Sequence, residues 1–395
     1  MTKDNVSHIH NCYGCGVCAV SCNKGIISIE LNNLGFYEPS VKNEQQCTNC
    51  GICLDVCAYN HEERSLNKTD IKSWAAWSNN DAIRRKCSSG GIGFEIGKQL
   101  IGQGYKAIGC RYDITEQRAE HYIATTVEEF VQSIGSKYIQ SYTVEAFRQI
   151  KRKGQKYLVT GTPCQIDSFR RMIRRFRCED NFILLDFFCH SVPSMYAWKA
   201  YIKMLEPRIG RINYASWRNK FEYGWHDSWL MGIDGDKTSK PINWHDSYES
   251  LLKEKKSCIQ SRKSQGDLFY KLFLGDITLG PQCQTSCKYK YNQSSADIRI
   301  GDLWGKTYER NEKGVSALVS FTDKGKKIVE NLTDVTLVEH PFEVVAEGQM
   351  KTNAKAKEMN SLVVAMLAQG FSLTNLIFKF VLFTQRIITK VKTII

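Results

Sequence analysis

Apolar positions along this chain follow two rhythms. In residues 156–205, short continuous apolar runs alternate with amphipathic stretches. Lys156-Tyr-Leu-Val-Thr precedes a helical pattern over 166–177, and Asn181-Phe-Ile-Leu-Leu-Asp-Phe-Phe precedes another over 194–205. Such alternation predicts a parallel sheet with both faces covered. Strands are also predicted at 105–112, 121–124, 296–305 (ending in a glycine turn) and 316–321. Helices are predicted from 127 to before Gly135, over 144–153 up to Gly154, and over 322–332. Residues 211–250, with Trp217, Trp225, Trp229 and Trp244, read as β-hairpins and loops. Their aromatic rings suit core and turn packing, with a lid or a face for a planar ligand as the alternative.

The first 62 residues break this rhythm. They are polar and glycine-rich around one short strand at 26–31, and a polar linker follows over 63–74. The tail over 339–395 is predicted helical. Its apolar run 373–383 is interrupted by Lys379 and is too short to span a bilayer. Lys379, Arg386, Lys390 and Lys392 punctuate an apolar pattern that suits packing on the body or lying on a membrane surface. The fold class expected is α+β or α/β: a small two-cluster ferredoxin-like domain followed by an α/β domain.

The front module carries the chemistry. Cys12, Cys15, Cys18 and Cys22 form one C-x2-C-x2-C-x3-C run, and Cys47, Cys50, Cys53 and Cys57 form a second. That is the spacing of a two-cluster bacterial ferredoxin, in which the fourth Cys of each run ligates the other cluster. Cys12, Cys15, Cys18 and Cys57 are assigned to one 4Fe–4S cluster, and Cys47, Cys50, Cys53 and Cys22 to the other. Gly14, Gly16 and Gly51 allow the loops to close. Structural zinc favours two separated pairs and has no use for a third Cys at this spacing. Disulfides would require export. Asn23 and Ala58 stand where ferredoxins usually place Pro.

With 395 residues, the chain is large enough for two or three domains. Sixteen cysteines without a visible signal peptide predict a reducing cytoplasm. The formal charge is +13. Three oxidised clusters with their thiolates would remove about six of these charges. No nucleic-acid motif accompanies the charge, so an acidic donor protein, an anionic nucleotide cofactor or an anionic membrane surface explains it instead.

Two further features concern the body. Cys164 and Cys189 each follow a predicted parallel strand, where α/β sheets bind ligands. If those strands are neighbours, both thiols face one crevice, and the helix start beside Cys164 favours a thiolate. Cys87-Ser-Ser-Gly-Gly opens a predicted helix. Ser88 and Ser89 are expected to cap it, with Gly90 and Gly91 presenting N–H groups to a phosphate; a plain helix start is the competing reading.

Five stretches together resemble the family of coenzyme F420 hydrogenase/dehydrogenase beta subunits. They are Cys87-Ser-Ser-Gly-Gly, Ser136-Lys-Tyr-Ile-Gln-Ser, Gly161-Thr-Pro-Cys-Gln-Ile, Phe188-Cys-His-Ser-Val-Pro-Ser and Asp297-Ile-Arg-Ile-Gly-Asp-Leu-Trp-Gly, in the family's order from about residue 75 to 335. The resemblance implies an N-terminal region at 75–155 and a C-terminal region at 156–338, forming an α/β domain that binds FAD. It implies a third cluster on Cys164, Cys189, Cys283 and Cys287, although this chain has C-x3-C where the family usually has C-x2-C. It implies a flavin site near Ser88, Ser89, Gly90, Gly91, Ser136, Lys137, Tyr138, Gly161 and Thr162, with Lys137 offsetting negative charge and serving as the one catalytic candidate. Cys87, Cys110, Cys178 and Cys258 are expected to be buried thiols or bystanders.

The function this implies is an iron–sulfur flavoprotein oxidoreductase. It would pass electrons between 4Fe–4S clusters and FAD, and then to or from coenzyme F420 or another small molecule, such as a sugar intermediate of surface-polysaccharide synthesis. A donor or acceptor protein, ferredoxin or a partner subunit, is the expected partner. The competing functions are an electron-relay subunit with no substrate site of its own and a zinc scaffold.

Overall fold

The structure, a computed structural model, describes residues 4–66, 70–237 and 258–394. Near the N-terminus, β1 (Ile27–Leu31) and β2 (Tyr37–Val41) pair as an antiparallel hairpin with Ile27 opposite Val41. The body contains β3 (Lys72–Ser78), β4 (Lys106–Asp113), β5 (Arg118–Ala124), β6 (Ser141–Tyr142), β7 (Tyr157–Thr160) and β8 (Phe182–Phe187). It continues with β9 (Ile212–Ser216), β10 (Leu230–Gly235), β11 (Ile259–Arg262), β12 (Ile298–Asp302), β13 (Ser316–Ser320) and β14 (Val335–Glu339).

Nine of these strands form one sheet in the order β14-β3-β13-β12-β8-β7-β4-β5-β6. Its centre, β12-β8-β7-β4, is parallel. Antiparallel pairings flank that centre, β13 beside β12 and β5 beside β4, so the sheet is mixed. The side chains of β7 and β8 alternate between two cores. Tyr157, Val159, Phe182 and Leu184 pack on one face with Phe169 and Ile173 of the helix Pro163–Arg175. Leu158, Ile183 and Leu185 pack on the other face with Ile96 and Leu100 of the helix Ile92–Gly102. Both faces are covered, which is why these strands read as unbroken apolar runs.

Several boundaries move. The helix expected over 144–153 is Val144–Arg148, and beyond it the Lys151 amide donates to the Tyr157 hydroxyl (2.9 Å) instead of continuing a helical ladder. The helix expected over 166–177 starts earlier, at Pro163, so Cys164 lies in its first turn. The helix after β8 spans Met195–Ile209 and ends at Gly210. In the tryptophan-rich stretch, β9, β10 and β11 form a small antiparallel sheet, and Trp217 and Trp225 are buried in the core. Trp244 lies outside the described residues.

Ser88 and Ser89 do not cap the helix Ile92–Gly102. Gly91 is its N-cap residue, at φ +89°, and no side chain caps it. Ser89 Oγ donates to the Val315 carbonyl (2.9 Å), and Ser88 Oγ accepts from the Ser136 amide (2.9 Å). The hydroxyls tie the turn to β13 and to the 136 loop, which leaves none for the helix.

One polar pair lies in the apolar centre. Arg299 on β12 donates Nε and Nη2 to the two oxygens of Asp186 on β8, each at 2.7 Å, and both residues are fully buried. Its remaining N–H groups reach the carbonyls of Tyr289, Tyr291 and Gln293 at 2.8–3.2 Å. Truncating one partner of such a pair leaves an uncompensated buried charge. Arg299→Leu is therefore expected to destabilise the fold by about 3–5 kcal/mol, read as a lowered midpoint in anaerobic denaturant unfolding. A change under about 1 kcal/mol would contradict this.

Candidate functional site

The two Cys runs repeat each other in backbone as well as sequence. Gly14 and Asn49 take the left-handed conformation at φ +63° and +58°. Gly16 and Gly51 follow at +75° and +71°, each the N-cap of a short helix, Val17–Ser21 and Ile52–Asp55. At Gly14 the conformation coincides with a close approach: a Cβ there would lie 2.4 Å from the Tyr37 carbonyl.

These turns bring the thiols together. Cys12, Cys15, Cys18 and Cys57 are all buried, and charge repulsion from Cys12, Cys15 and Cys57 raises the Cys18 pKa. Burial is the larger cause throughout, and it pushes Cys15 up to about 11. Cys53 is raised by burial first, then by its neighbours Cys22 and Cys50. Cys47, where Asn5 Nδ2 donates to Sγ at 3.8 Å, and Cys22 are half-buried, and Cys50 is exposed. One quartet thus lies inside the molecule, and the other opens to solvent.

In the body, β7 and β8 are parallel neighbours in register, Thr160 opposite Leu185. The chain leaves both strands at the same edge, and Cys164 and Cys189 follow there. The segment after Cys189 is bridged to the segment before Cys283 by Pro193 and Leu279. The Ser194 amide donates to the Thr278 carbonyl (2.8 Å), and the Gly280 amide donates to the Val192 carbonyl (3.0 Å). Cys283, in the short helix Pro281–Thr285, and Cys287 complete the group. Burial raises Cys164, with Cys189, Cys283 and Cys287 adding to the rise. Cys189 is pushed up to about 11 and Cys283 to about 12, chiefly by burial. The thiolate expected at Cys164 from the helix dipole is therefore not favoured: desolvation and three neighbouring thiols outweigh one helix end. Among the described residues no three His, Cys, Asp or Glu side chains are placed to hold a single metal ion. The cysteine quartets converge without closing to a mononuclear spacing.

Tyr13, between Cys12 and Gly14, joins the two regions. Its ring lies 5.2 Å from Tyr59 and 5.8 Å from Tyr289, and its hydroxyl donates to the Ser286 carbonyl beside Cys287. Cys164 and Cys287 pack on the same aromatic group. The front module is held there by Ala58 N–H on Ser168 Oγ (3.0 Å), Thr143 Oγ1 on the Cys15 carbonyl (2.8 Å) and Lys288 Nζ on the Ala58 carbonyl (2.8 Å).

Beside Cys189 opens a cavity of about 450 Å³ at the C-terminal edge of the parallel strands. Ser88, Ser89, Gly91, Ser136, Lys137, Tyr138, Gly161 and Thr162 all line it. Gly90 does not: a Cβ there would lie 2.4 Å from the Ala76 carbonyl, so its bareness serves packing against β3. Lys137 Nζ donates to the carbonyls of Gln132 (3.0 Å) and Ile134 (3.1 Å), and burial lowers its pKa to about 8. Tyr138 is stacked between Trp229 (5.1 Å) and Phe273 (5.3 Å), and its hydroxyl accepts from Arg218. Thr162 Oγ1 lies 3.2 Å from Cys164 Sγ, so this residue touches both the cavity and the cysteine group.

Sequence reasoning missed Phe187, Phe188 and Trp304 in the cavity wall and the tyrosines Tyr13 and Tyr289, whereas Trp229 lies in the stretch for which a planar-ligand face was the alternative. The tyrosines carried a signal, since each stands within two residues of a ligand-spaced Cys. Cys87 and Cys110, expected as bystanders, line the cavity; Cys178 is buried on the Ile173 carbonyl, and Cys258 packs against the core.

Comparisons with known proteins place similarity in two parts of the chain. Residues 154–341 match the family described as the C terminus of the coenzyme F420 hydrogenase/dehydrogenase beta subunit, and residues 11–61 match a 4Fe–4S dicluster domain. A subunit of the F(420)H(2) dehydrogenase of Methanosarcina mazei is 26% identical over 244 residues, 58% of this chain and 67% of that protein. The beta subunit of the coenzyme F420 hydrogenase of Methanococcus voltae is 26% identical over 222 residues, 54% of this chain and 66% of its own length. Each match thus spans about two thirds of the relative. A chain from the F420-reducing NiFe hydrogenase complex of Methanosarcina barkeri, solved as a xenon derivative, aligns with a TM-score of 0.42 at 17% identity, covering 78% of this chain and 91% of that one. The chain joins a 4Fe–4S dicluster domain, residues 11–61, to a domain of the family formed by the C-terminal part of coenzyme F420 hydrogenase/dehydrogenase beta subunits, residues 154–341.

Proposed function

We propose that this chain is an iron–sulfur flavoprotein oxidoreductase that exchanges electrons between a protein partner and a small molecule. One 4Fe–4S cluster is held by Cys47, Cys50, Cys53 and Cys22, a second by Cys12, Cys15, Cys18 and Cys57, and a third by Cys164, Cys189, Cys283 and Cys287. FAD occupies the cavity. The observation that carries this reading is the meeting, at Cys189, of a four-cysteine group with the wall of a large cavity. When bound, the clusters supply one-electron transfer and the flavin couples it to two-electron chemistry.

The residues present fit these groups. Each quartet offers four sulfur donors, and loss of their protons is coupled to iron binding. The cavity volume lies in the usual range for cofactor sites, with apolar walls and a few convergent polar groups. Tyr13 and Tyr289 fill the gap between two of the cysteine groups and exclude water from it. Lys137, half-buried with no carboxylate among the groups that shift it, offers positive charge to a phosphate or a reduced ring.

The half-open quartet with its exposed Cys50 suits docking of a donor or acceptor, ferredoxin or a partner subunit. Coenzyme F420, named in both curated relatives, is the first small molecule to test, followed by a sugar intermediate of surface-polysaccharide synthesis. The proposed units are residues 1–62 for the clusters, 75–155 and 156–338 for the flavin domain and 339–395 for the tail, in a cytoplasmic protein.

Anaerobically purified protein is expected to contain about twelve iron atoms and one FAD. Cys283→Ala is expected to lower iron to about eight while leaving the N-terminal clusters, read by iron and sulfide assay. Unchanged iron in that variant would remove Cys283 from the ligand set, and iron without flavin would leave an electron-relay subunit.

An anionic ligand beside Lys137 restores its proton, so binding takes up a proton above about pH 8. FAD affinity is expected to be flat below about pH 8 and to weaken above it by up to about tenfold per pH unit. Lys137→Met should bind more weakly and lose this dependence. A flat wild-type profile in a fluorescence titration, continuing well above pH 8, would contradict the role.

A further inference from the structure

The C-terminal helix Leu376–Ile394 packs on one side only. Phe378 and Val381 are buried in the main core, and buried Gln385 accepts from the Met359 amide (2.8 Å). On the opposite side Leu376, Ile377, Phe380, Phe383, Ile387 and Val391 are all exposed, from 48% to 81%. They make up six of the nine large hydrophobic residues exposed among the described residues, so the exposure is concentrated rather than scattered. Leu376, Phe380, Phe383, Ile387 and Val391 recur every three or four positions and therefore form one stripe, about 23 Å long. A contiguous apolar patch of this kind marks a surface that meets something.

The charges indicate what it meets. Lys379, Arg386 and Lys390 recur at seven- and four-residue spacing and so form a row along one edge of the stripe. No Asp or Glu follows Glu358, and that residue is paired with Lys392. A second copy of this helix would bring no acid to the row, so pairing through the stripe leaves its cations uncompensated. An anionic bilayer satisfies both features: the stripe enters the headgroup–acyl boundary while the cations reach up to the headgroups. No helix among the described residues is long and apolar enough to cross a membrane, which makes the contact a surface one. We propose that this helix docks the protein on a membrane surface rich in anionic phospholipid.

The test is flotation of the full holoprotein with two kinds of vesicle, phosphatidylcholine alone and phosphatidylcholine with phosphatidylglycerol. The wild type is expected to float with the anionic vesicles and to be released by salt. Phe380→Asp/Phe383→Asp should weaken flotation at least about tenfold. Lys379→Gln/Arg386→Gln/Lys390→Gln should remove the preference for anionic vesicles. All altered side chains are exposed and remote from the cofactor ligands, so both variants should keep wild-type iron content and absorbance. Failure of the wild type to float with anionic vesicles would overturn the proposal. So would a concentration-dependent dimer in sedimentation velocity that Phe380→Asp/Phe383→Asp abolishes, which would make the stripe a seam between copies.

Discussion

Arg299 ties the central parallel strands to the loop that carries Cys287. All five of its N–H donors are engaged: two bonds grip Asp186, and the others reach the carbonyls of Tyr289, Tyr291 and Gln293. Asp186 lies on β8, three residues before Cys189. Tyr289 lies two residues after Cys287. One planar fork therefore ties the strand that presents one cysteine to the loop that presents another. A buried ion pair contributes little net stability compared with an apolar pair of the same shape. An apolar pair, however, would offer nothing to three loop carbonyls. What the arrangement secures is position, and the cysteine group needs position more than it needs stability.

The same logic explains the seam between the front module and the body. Asp167, fully buried in the helix after β7, accepts from the Tyr289 hydroxyl (2.6 Å) and from the Ser65 amide (2.7 Å). Gln140 accepts from the Tyr37 amide (2.9 Å) and donates to the Tyr13 carbonyl (3.2 Å). These buried polar groups are satisfied across the seam, so sliding one part over the other would strand several of them at once. The Tyr13 and Tyr289 rings are thereby held between two cysteine groups by polar contacts on both sides.

How much of this was legible in the sequence depends on whether a feature was local. The doubled Cys run carries its own geometry, since spacing alone dictates which thiols share a loop. The parallel pairing of β7 and β8 was readable because both strands are buried on two faces and so are nearly all apolar, with Asp186 the one charged exception. Ser88 and Ser89 were misread because a serine before a helix looks the same whether its hydroxyl caps the helix or reaches β13, 226 residues away. The short helix at Val144 was overextended because the partner that ends it, the Tyr157 hydroxyl, comes from the next strand. Most of the aromatic wall was invisible because Phe187 and Trp304 come from separate segments and no periodicity links them to Trp229, whose stretch alone offered a face for a planar ligand.

The cavity wall also bears on its occupant. Two lysines, Lys220 buried and Lys137 half-buried, lie around the Cys87–Ser89 turn without a carboxylate bond between them. Lys220 donates to the carbonyls of Arg84, Ser89 and Lys313, and burial lowers its pKa to about 7. Lys137 behaves alike on two carbonyls, with its pKa lowered to about 8. Desolvating a cation and giving it only neutral dipoles is costly. Lys137 lines the cavity and Lys220 meets the same turn from outside the lining, so the phosphates of the proposed flavin would supply the compensating charge at Lys137. The polarity of the site therefore suits the proposed flavin, with its phosphates at this end and its planar ring toward the tryptophan and phenylalanine walls.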